Sequence, residues 1–181
     1  MGVSRVTTKI VFSGFGGQGV LTLGQIVADI ALHQGKEVTW MPSYGAEMRG
    51  GTANCSVIIS DTVIGSPIVL NNIDILVALN SPSVDKFLPK MRPDGLAVVN
   101  SSIVKEMPQT TANTVKIDAT NIAQSTNNPR GTNMTMLAGI LSKTSLFTKE
   151  EAKQALSRRF KGKQDLVDLN MTSIDEALKS L

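Results

Sequence analysis

The pattern of apolar and polar positions over the first forty residues predicts a strand, a helix and a second strand. Residues 7–13 are rich in β-branched side chains, which favours a strand. The apolar positions that follow have helical spacing up to Gly35, and they are Val20, Leu23, Val27, Ile30 and Ala31. A second strand is predicted over 37–41, with Pro42 expected to end it. This order is typical of a parallel sheet with a right-handed crossover.

The middle of the chain predicts more strands and one short helix. The strands are predicted over 54–60, 73–79, 96–99 and 114–117. The first of them is followed by a turn at 61–62 and a short extended piece at 63–64, and we expect these to pair as an antiparallel hairpin. The second is an almost unbroken apolar run, which suits a strand buried on both faces. Ser81 is expected to cap a short helix that begins at Pro82.

The last third is predicted to be helical. Residues 133–142 contain apolar side chains with helical spacing, and residues 148–151 have the pattern of a capping box at the start of another helix. A final helix is predicted by one apolar stripe, which consists of Val167, Met171, Ile174, Leu178 and Leu181. Ser173 with Glu176 is a second start signal, so two helices are an alternative. The elements predict one domain over residues 1–181, with an α/β, Rossmann-like three-layer fold, a mostly parallel sheet, a small antiparallel excursion and C-terminal helices.

The composition limits the chemistry that this chain can supply. Its net charge of +3 is too small to indicate nucleic acid, and no apolar run approaches the ~18 residues of a membrane span. Residues 1–5 lack the apolar core of a secretory signal, so we expect a cytoplasmic protein without nucleic-acid or membrane partners. Cys55 and His33 are the single cysteine and histidine. They exclude an internal disulfide, an iron–sulfur cluster and a Cys/His zinc site within the chain. We expect no metal ligand and no catalytic acid, base or nucleophile here.

A glycine-rich turn, Gly14-x-Gly16-x-x-Gly19, lies between the first strand and the first helix. Glycines let the backbone approach a ligand closely, and the free N–H groups of the helix favour an anion. A tight turn that serves packing alone is the alternative. Glu37 stands at about the right distance for the acidic residue of a dinucleotide site, but it begins the second strand rather than ending it, which disfavours NAD.

A second loop, residues 43–54, follows the second strand, so in a parallel sheet it lies at the same edge as the glycine turn. It offers the phenol of Tyr44, the carboxylate of Glu47, the guanidinium of Arg49 and a glycine pair at 50–51. Arginine suits a phosphate or a carboxylate. A weak surface ion pair between Arg49 and Glu47 is the alternative.

These two segments closely resemble the gamma subunit of 2-oxoacid:ferredoxin oxidoreductases, and the resemblance covers nearly the whole chain. The segments are Gly14-Phe15-Gly16-Gly17-Gln18-Gly19 and Pro42-Ser43-Tyr44-Gly45-Ala46-Glu47-Met48-Arg49-Gly50-Gly51-Thr52-Ala53-Asn54-Cys55, with shorter matches at 66–67, 74–80 and 129–133. The second segment is most similar to the 2-oxoglutarate type. The resemblance implies a complex that oxidatively decarboxylates a 2-oxoacid, joins the acyl group to coenzyme A and reduces ferredoxin.

The resemblance also implies a division of labour among subunits. Thiamine diphosphate and magnesium would lie between the alpha and beta subunits, and iron–sulfur clusters on beta or on a ferredoxin-like delta subunit. The chain itself would be a non-catalytic subunit that helps to bind coenzyme A. The candidate residues carried over are Gly14, Gly16, Gly17, Gly19, Ser43, Tyr44, Glu47, Arg49, Gly50, Gly51, Arg130 and Asn133. By hypothesis, the two arginines contact the coenzyme A phosphates and Asn133 donates to them.

Two other functions are compatible with the glycine turn. One is a stand-alone module that binds a nucleotide or coenzyme A without enzyme partners. The other is an NAD(P)-dependent dehydrogenase, which the missing acidic residue after the second strand and the near absence of histidine disfavour.

Overall fold

A computed structural model describes residues 7–44 and 52–181. The strands are β1 (Thr7–Phe15), β2 (Glu37–Tyr44), β3 (Thr52–Ser60), β4 (Ile73–Ala78), β5 (Met91–Asn100) and β6 (Asn113–Ile117). The helices are α1 (Val20–His33), α2 (Ser81–Phe87) with a 3-10 turn at Leu88–Lys90, α3 (Ala119–Ser125), α4 (Thr132–Thr135), α5 (Leu137–Lys143), α6 (Lys149–Arg159) and α7 (Gln164–Lys179). In the described part of the chain, no helix is both long and apolar enough to cross a bilayer.

The six strands form one sheet in the order β2-β3-β1-β4-β5-β6. The neighbouring pairs β1 and β4, β4 and β5, and β5 and β6 are parallel. In contrast, β3 is antiparallel to both β1 and β2. The predicted α/β fold with a mostly parallel sheet and a small antiparallel excursion is confirmed.

The predicted hairpin between residues 54–60 and 63–64 is wrong. Val63 and Ile64 belong to no strand. The helical crossover through α1 places β2 two positions away from β1, and β3 fills the space between them. The antiparallel partner of β3 along the chain is therefore β2, which precedes it.

Pro42 does not end β2, which continues to Tyr44. The strand lies at the edge of the sheet, and Pro42 is in register with Cys55 of β3. Proline lacks an N–H group, and an edge strand tolerates it where that group would face solvent.

Two apolar cores lie on the two faces of the sheet. The larger core joins the sheet to α1 and the C-terminal helices, with Phe12, Leu23, Leu137 and Ile174 among its buried side chains. The smaller core lies beneath α2 and contains Val11, Leu76, Val84 and Val99. Helices thus cover one face fully, while α2 covers β1 and β4 on the other.

Several helix predictions need correction. The cap of α2 is Asn80, whose Oδ1 accepts from the Ser83 N–H at 3.0 Å, and not Ser81. The helix predicted over 133–142 is divided into α4 and α5 at Met136. The short α3 lacks a long apolar stripe and was not predicted. The capping box of α6 is confirmed. The last helix, α7, is continuous, and Ser173 is a buried residue in its interior rather than the start of a second helix.

Candidate functional site

The glycine turn joins the carboxyl end of β1 to the start of α1. Gly17 and Gly19 have φ values of +95° and +73°, a left-handed conformation that side chains with a Cβ rarely adopt. Gly19 is the N-cap of α1 and supplies no side-chain cap, and the first turn of the helix carries no acidic residue. The N–H groups of that turn therefore keep their positive partial charge for an outside acceptor.

Packing closes the strand side of this turn and leaves its tip open. A Cβ on Gly14 would lie 2.7 Å from Gln18 Oε1 and 2.8 Å from Val20 Cγ2, so the close approach requires glycine. A Cβ on Gly17 would meet no atom within 4 Å. Gly14 thus serves the packing of the turn, and Gly17 lies at its accessible tip.

Gln18 holds the turn in shape, a role that the sequence analysis missed. Its Oε1 accepts from the Phe15 N–H at 2.6 Å, while its own backbone N–H donates to Phe15 O at 3.1 Å. Asn80 Nδ2 lies 3.4 Å from the same Oε1. Since Asn80 follows β4 and is fully buried, it connects the ends of two neighbouring strands. An amide side chain inside the glycine motif was the available signal for this contact.

Asn133 and Gly19, two predicted site residues, are in contact. Asn133 Nδ2 donates to Gly19 O at 2.9 Å across a sequence separation of 114 residues. The asparagine is 6% exposed, and a Cβ on Gly19 would lie 2.3 Å from its Nδ2. The segment that contains Asn133 therefore supports the start of α1, and Gly19 is required both for its φ and for this approach.

Arg130 is an exposed cation on a supported turn. Gly131 N–H donates to Asn128 O at 2.8 Å, and the buried Asn128 side chain donates to Asn170 Oδ1 at 3.1 Å in α7. Arg130 forms no ion pair with the described residues. Its charge is available to an anionic ligand, three residues before Asn133.

The second loop begins and ends beside the glycine turn. Tyr44 and Gly14 are each in register with Ala53, and Thr52 is in register with Phe15. The predicted proximity of the two segments is therefore confirmed, although it arises through the antiparallel β3. Ser43 is exposed, and the structure describes Tyr44 by its backbone alone. Glu47, Arg49, Gly50 and Gly51 lie outside the described residues, and Gly16, at the turn, is partly exposed.

Ser13 is a further polar group at this edge that the sequence analysis missed. It directly precedes the glycine turn, is 1% exposed and has an Oγ that forms no hydrogen bond with any of the residues that the structure describes. Its register partners are Asn54 and Ala78. A serine at the end of a β-branched strand was the only signal.

The single cysteine is buried, and the single histidine is exposed at the end of α1. Burial raises the pKa of the Cys55 thiol to about 12, although the Trp40 side chain and the Gly24 backbone lower it slightly. The thiol is therefore protonated at neutral pH and is a poor nucleophile. His33 is exposed at the end of α1, where its Nδ1 lies 2.8 Å from Asp29 O. Among residues 7–44 and 52–181, no group of three His, Cys, Asp or Glu side chains is arranged to hold a metal ion.

A wide groove of about 930 Å³ lies at the opposite edge of the sheet, where the parallel strands begin. Two ion pairs lie in this groove: Arg92 Nε is 3.0 Å from Asp74 Oδ1, and Lys36 pairs with Asp61. Ligands of open α/β sheets bind outside the carboxyl ends of the strands. The glycine turn, and not this groove, is therefore the candidate site.

Comparison with known proteins identifies relatives over the full fold. The family model described as pyruvate ferredoxin/flavodoxin oxidoreductase matches residues 9–180. The ketoisovalerate oxidoreductase subunit VorA of Methanothermobacter marburgensis is 33% identical over 92% of this chain, which spans 35% of that relative's length. The 2-oxoglutarate synthase subunit KorC of Methanocaldococcus jannaschii is 34% identical over 84% of this chain and 83% of its own.

Two solved structures share the fold. The gamma subunit of a keto/oxoacid ferredoxin oxidoreductase from Geobacter sulfurreducens PCA has a TM-score of 0.80 and 29% identity, over 95% of this chain and 96% of its own. A 2-oxoglutarate:ferredoxin oxidoreductase from Magnetococcus marinus, with 2-oxoglutarate, coenzyme A and succinyl-CoA bound, has a TM-score of 0.82 and 20% identity. The match covers 99% of the present chain and 32% of the Magnetococcus marinus chain. The second likeness concerns the fold alone.

Proposed function

Because the chain belongs to the pyruvate ferredoxin/flavodoxin oxidoreductase family, we propose that it is the gamma subunit of a 2-oxoacid:ferredoxin oxidoreductase and helps to bind coenzyme A. The complex would convert a 2-oxoacid to its acyl-CoA and reduce ferredoxin in the cytoplasm. The observation that carries the coenzyme A role is the uncapped start of α1, which Asn133 and Gln18 hold in place. Helix N-termini of this kind bind phosphate groups.

The residues of this chain fit the phosphates of coenzyme A better than they fit the redox cofactors of such a complex. The single cysteine is buried and protonated, so it is no cluster ligand. We therefore assign the iron–sulfur clusters, thiamine diphosphate and magnesium to the alpha, beta and delta partners. The gamma chain would bind and orient coenzyme A and contribute no catalytic group.

The proposed substrate is 2-oxoglutarate. The form of the second loop and the likeness to the archaeal KorC subunit support it. A branched-chain oxoacid is the second candidate, because the VorA relative has similar identity over a larger part of this chain. Activity of the purified complex on 2-oxoglutarate, ketoisovalerate and pyruvate decides between them through the ratio of kcat/KM values.

The coenzyme A role is tested with Arg49→Ala and Arg130→Ala in the assembled complex. The removal of one charged contact costs about 1.5–3 kcal/mol, so each variant should raise the KM for coenzyme A roughly tenfold to a hundredfold. The reaction of thiamine diphosphate with the oxoacid, measured without coenzyme A, should not change. Arg159→Ala removes an exposed arginine from α6 and is the matched control. An unchanged coenzyme A dependence in both site variants rejects this role and leaves the family assignment intact.

A further inference from the structure

The connection between β3 and β4 carries an exposed apolar strip, which we define as Val63, Ile68 and Leu70. These side chains are 85%, 60% and 70% exposed. No charged residue occurs between Asp61 and Asp74, although 18% of the chain is charged. Large apolar side chains that cluster on an uncharged surface segment mark an interaction site.

The segment from Ile68 to Leu70 carries apolar side chains on both of its sides. One side packs against the protein's own core, and the other faces solvent. Val69 packs against the small core beneath α2, whereas its two neighbours are exposed. Within the described part of the chain, residues 62–72 form no backbone–backbone hydrogen bond. A run of apolar side chains on alternate sides is typical of an extended segment that is buried on both faces. The exposed side of this segment therefore resembles one half of an interface whose partner is absent.

The end of β2 that lies beside the glycine turn is also exposed on this side of the sheet. Val38 and Trp40 of β2 pack against the core beneath α1, so the alternate residues Met41 and Ser43 point to the other face. Both are exposed, and α1 is the helix that packs on β2 and β3. Met41, Ser43 and the strip lie on the α2 side of the sheet, but Met41 and Ser43 are at the edge of the glycine turn and form no part of the strip.

We infer that the strip docks on another subunit of the same oxidoreductase, the one that corresponds to the remaining part of VorA; this inference rests on the proposed function. In VorA, the region similar to this chain makes up 35% of one polypeptide, so it is covalently joined to the rest of that protein. A surface that joins such a region to its neighbour is poor in charge and rich in apolar side chains. The strip has this composition. It also lies between the end of β3 and the start of β4, at the edge opposite the glycine turn, so docking leaves the coenzyme site open.

The test uses the complex purified through a tag on this chain. Leu70→Asp and Val63→Asp place a charge on the strip. The control, Leu166→Asp, places the same charge at an exposed position of α7, on the other side of the sheet. Each strip variant should reduce the affinity of the tagged chain for the subunit that corresponds to the remaining part of VorA by about tenfold or more, measured by titration. The α7 variant should bind like the wild type. Thermal unfolding of each isolated chain checks that it remains folded.

A second readout is hydrogen–deuterium exchange, in which residues 62–72 should be protected in the complex and exchange freely in the isolated chain. Normal affinity of both strip variants, with no protection, overturns the docking surface while the proposed function stands. A wild-type chain that binds no other subunit of the oxidoreductase overturns both the docking surface and the proposed function. An isolated chain that sediments as a dimer, and that Leu70→Asp dissociates, shows that the strip binds a second copy and overturns the proposed occupant.

Discussion

Replacement of Gly19 by alanine is expected to destabilise the fold through two separate effects. The φ of +73° places the residue in the left-handed region, which costs a residue with a Cβ about 1–2 kcal/mol. The new Cβ would also lie 2.3 Å from Asn133 Nδ2 and displace it from Gly19 O. The loss of a partner for a buried polar group costs about 1–3 kcal/mol. Gly19→Ala should therefore lower the free energy of unfolding by about 2–5 kcal/mol.

Gly35→Ala is the matched control, because it shares one effect and lacks the other. Gly35 has a φ of +75°, and a Cβ there would meet no atom within 4 Å. Its replacement should cost about 1–2 kcal/mol. The difference between the two variants, about 1–3 kcal/mol, measures the contact with Asn133. Urea unfolding of the full chain, followed by circular dichroism, provides both values.

A double variant tests whether Asn133 is the cause. In an Asn133→Ala background the space beside Gly19 is free, so Gly19→Ala should cost only about 1–2 kcal/mol, as at Gly35. Equal costs for Gly19→Ala and Gly35→Ala in the wild-type background would refute the reasoning. So would a cost at Gly19 that the Asn133→Ala background leaves unchanged.

Three further predictions concern local chemistry. The Cys55 thiol should resist alkylation at pH 8 in the native chain and react after denaturation, because its pKa is raised to about 12; rapid native reaction would contradict this. Asn80→Ala should cost about 1–2 kcal/mol in urea unfolding because it removes the cap of α2, whereas Ser81→Ala should have almost no effect; the reverse order would restore Ser81 as the cap. Thr148→Ala should cost about 1 kcal/mol near neutral pH. The Thr148 backbone N–H, the Gln34 side chain and the Thr148 hydroxyl all lower the Glu151 pKa, and the variant removes only the hydroxyl. The part of the cost that comes from the bond between that hydroxyl and the Glu151 carboxylate is present above the ordinary glutamate pKa and is lost as the pH falls through the lowered value; a pH-independent cost would disagree.

The strands and long helices could be predicted from local patterns, but the position of β3 could not. Periodicity identifies a strand near residue 54, and it does not state which strands lie beside it. The neighbour predicted at 63–64 was the nearest extended piece in sequence. The true neighbours, β1 and β2, follow from the crossover geometry of α1, which is a property of the whole sheet.

The candidate site shows the same division. The glycine spacing and its place between a strand and a helix predicted the turn and the open helix start. The contact of Asn133 with Gly19 depends on how α4 packs, and the resemblance to a family, not the local pattern, identified Asn133. Gln18 and Asn80 were missed because an amide side chain in or beside a motif does not by itself identify its hydrogen-bond partner.

The hydrogen bond between Asn133 and Gly19 has a consequence for the order of folding. During synthesis the glycine turn leaves the ribosome early, whereas its support follows 114 residues later. Contacts over such a separation form late, since a long loop must close first. The start of α1 thus lacks its hydrogen bond from Asn133 until α4 has docked. If the turn binds coenzyme A as proposed, we expect a chain truncated before residue 133 to bind it less tightly than the full chain, because this support is missing.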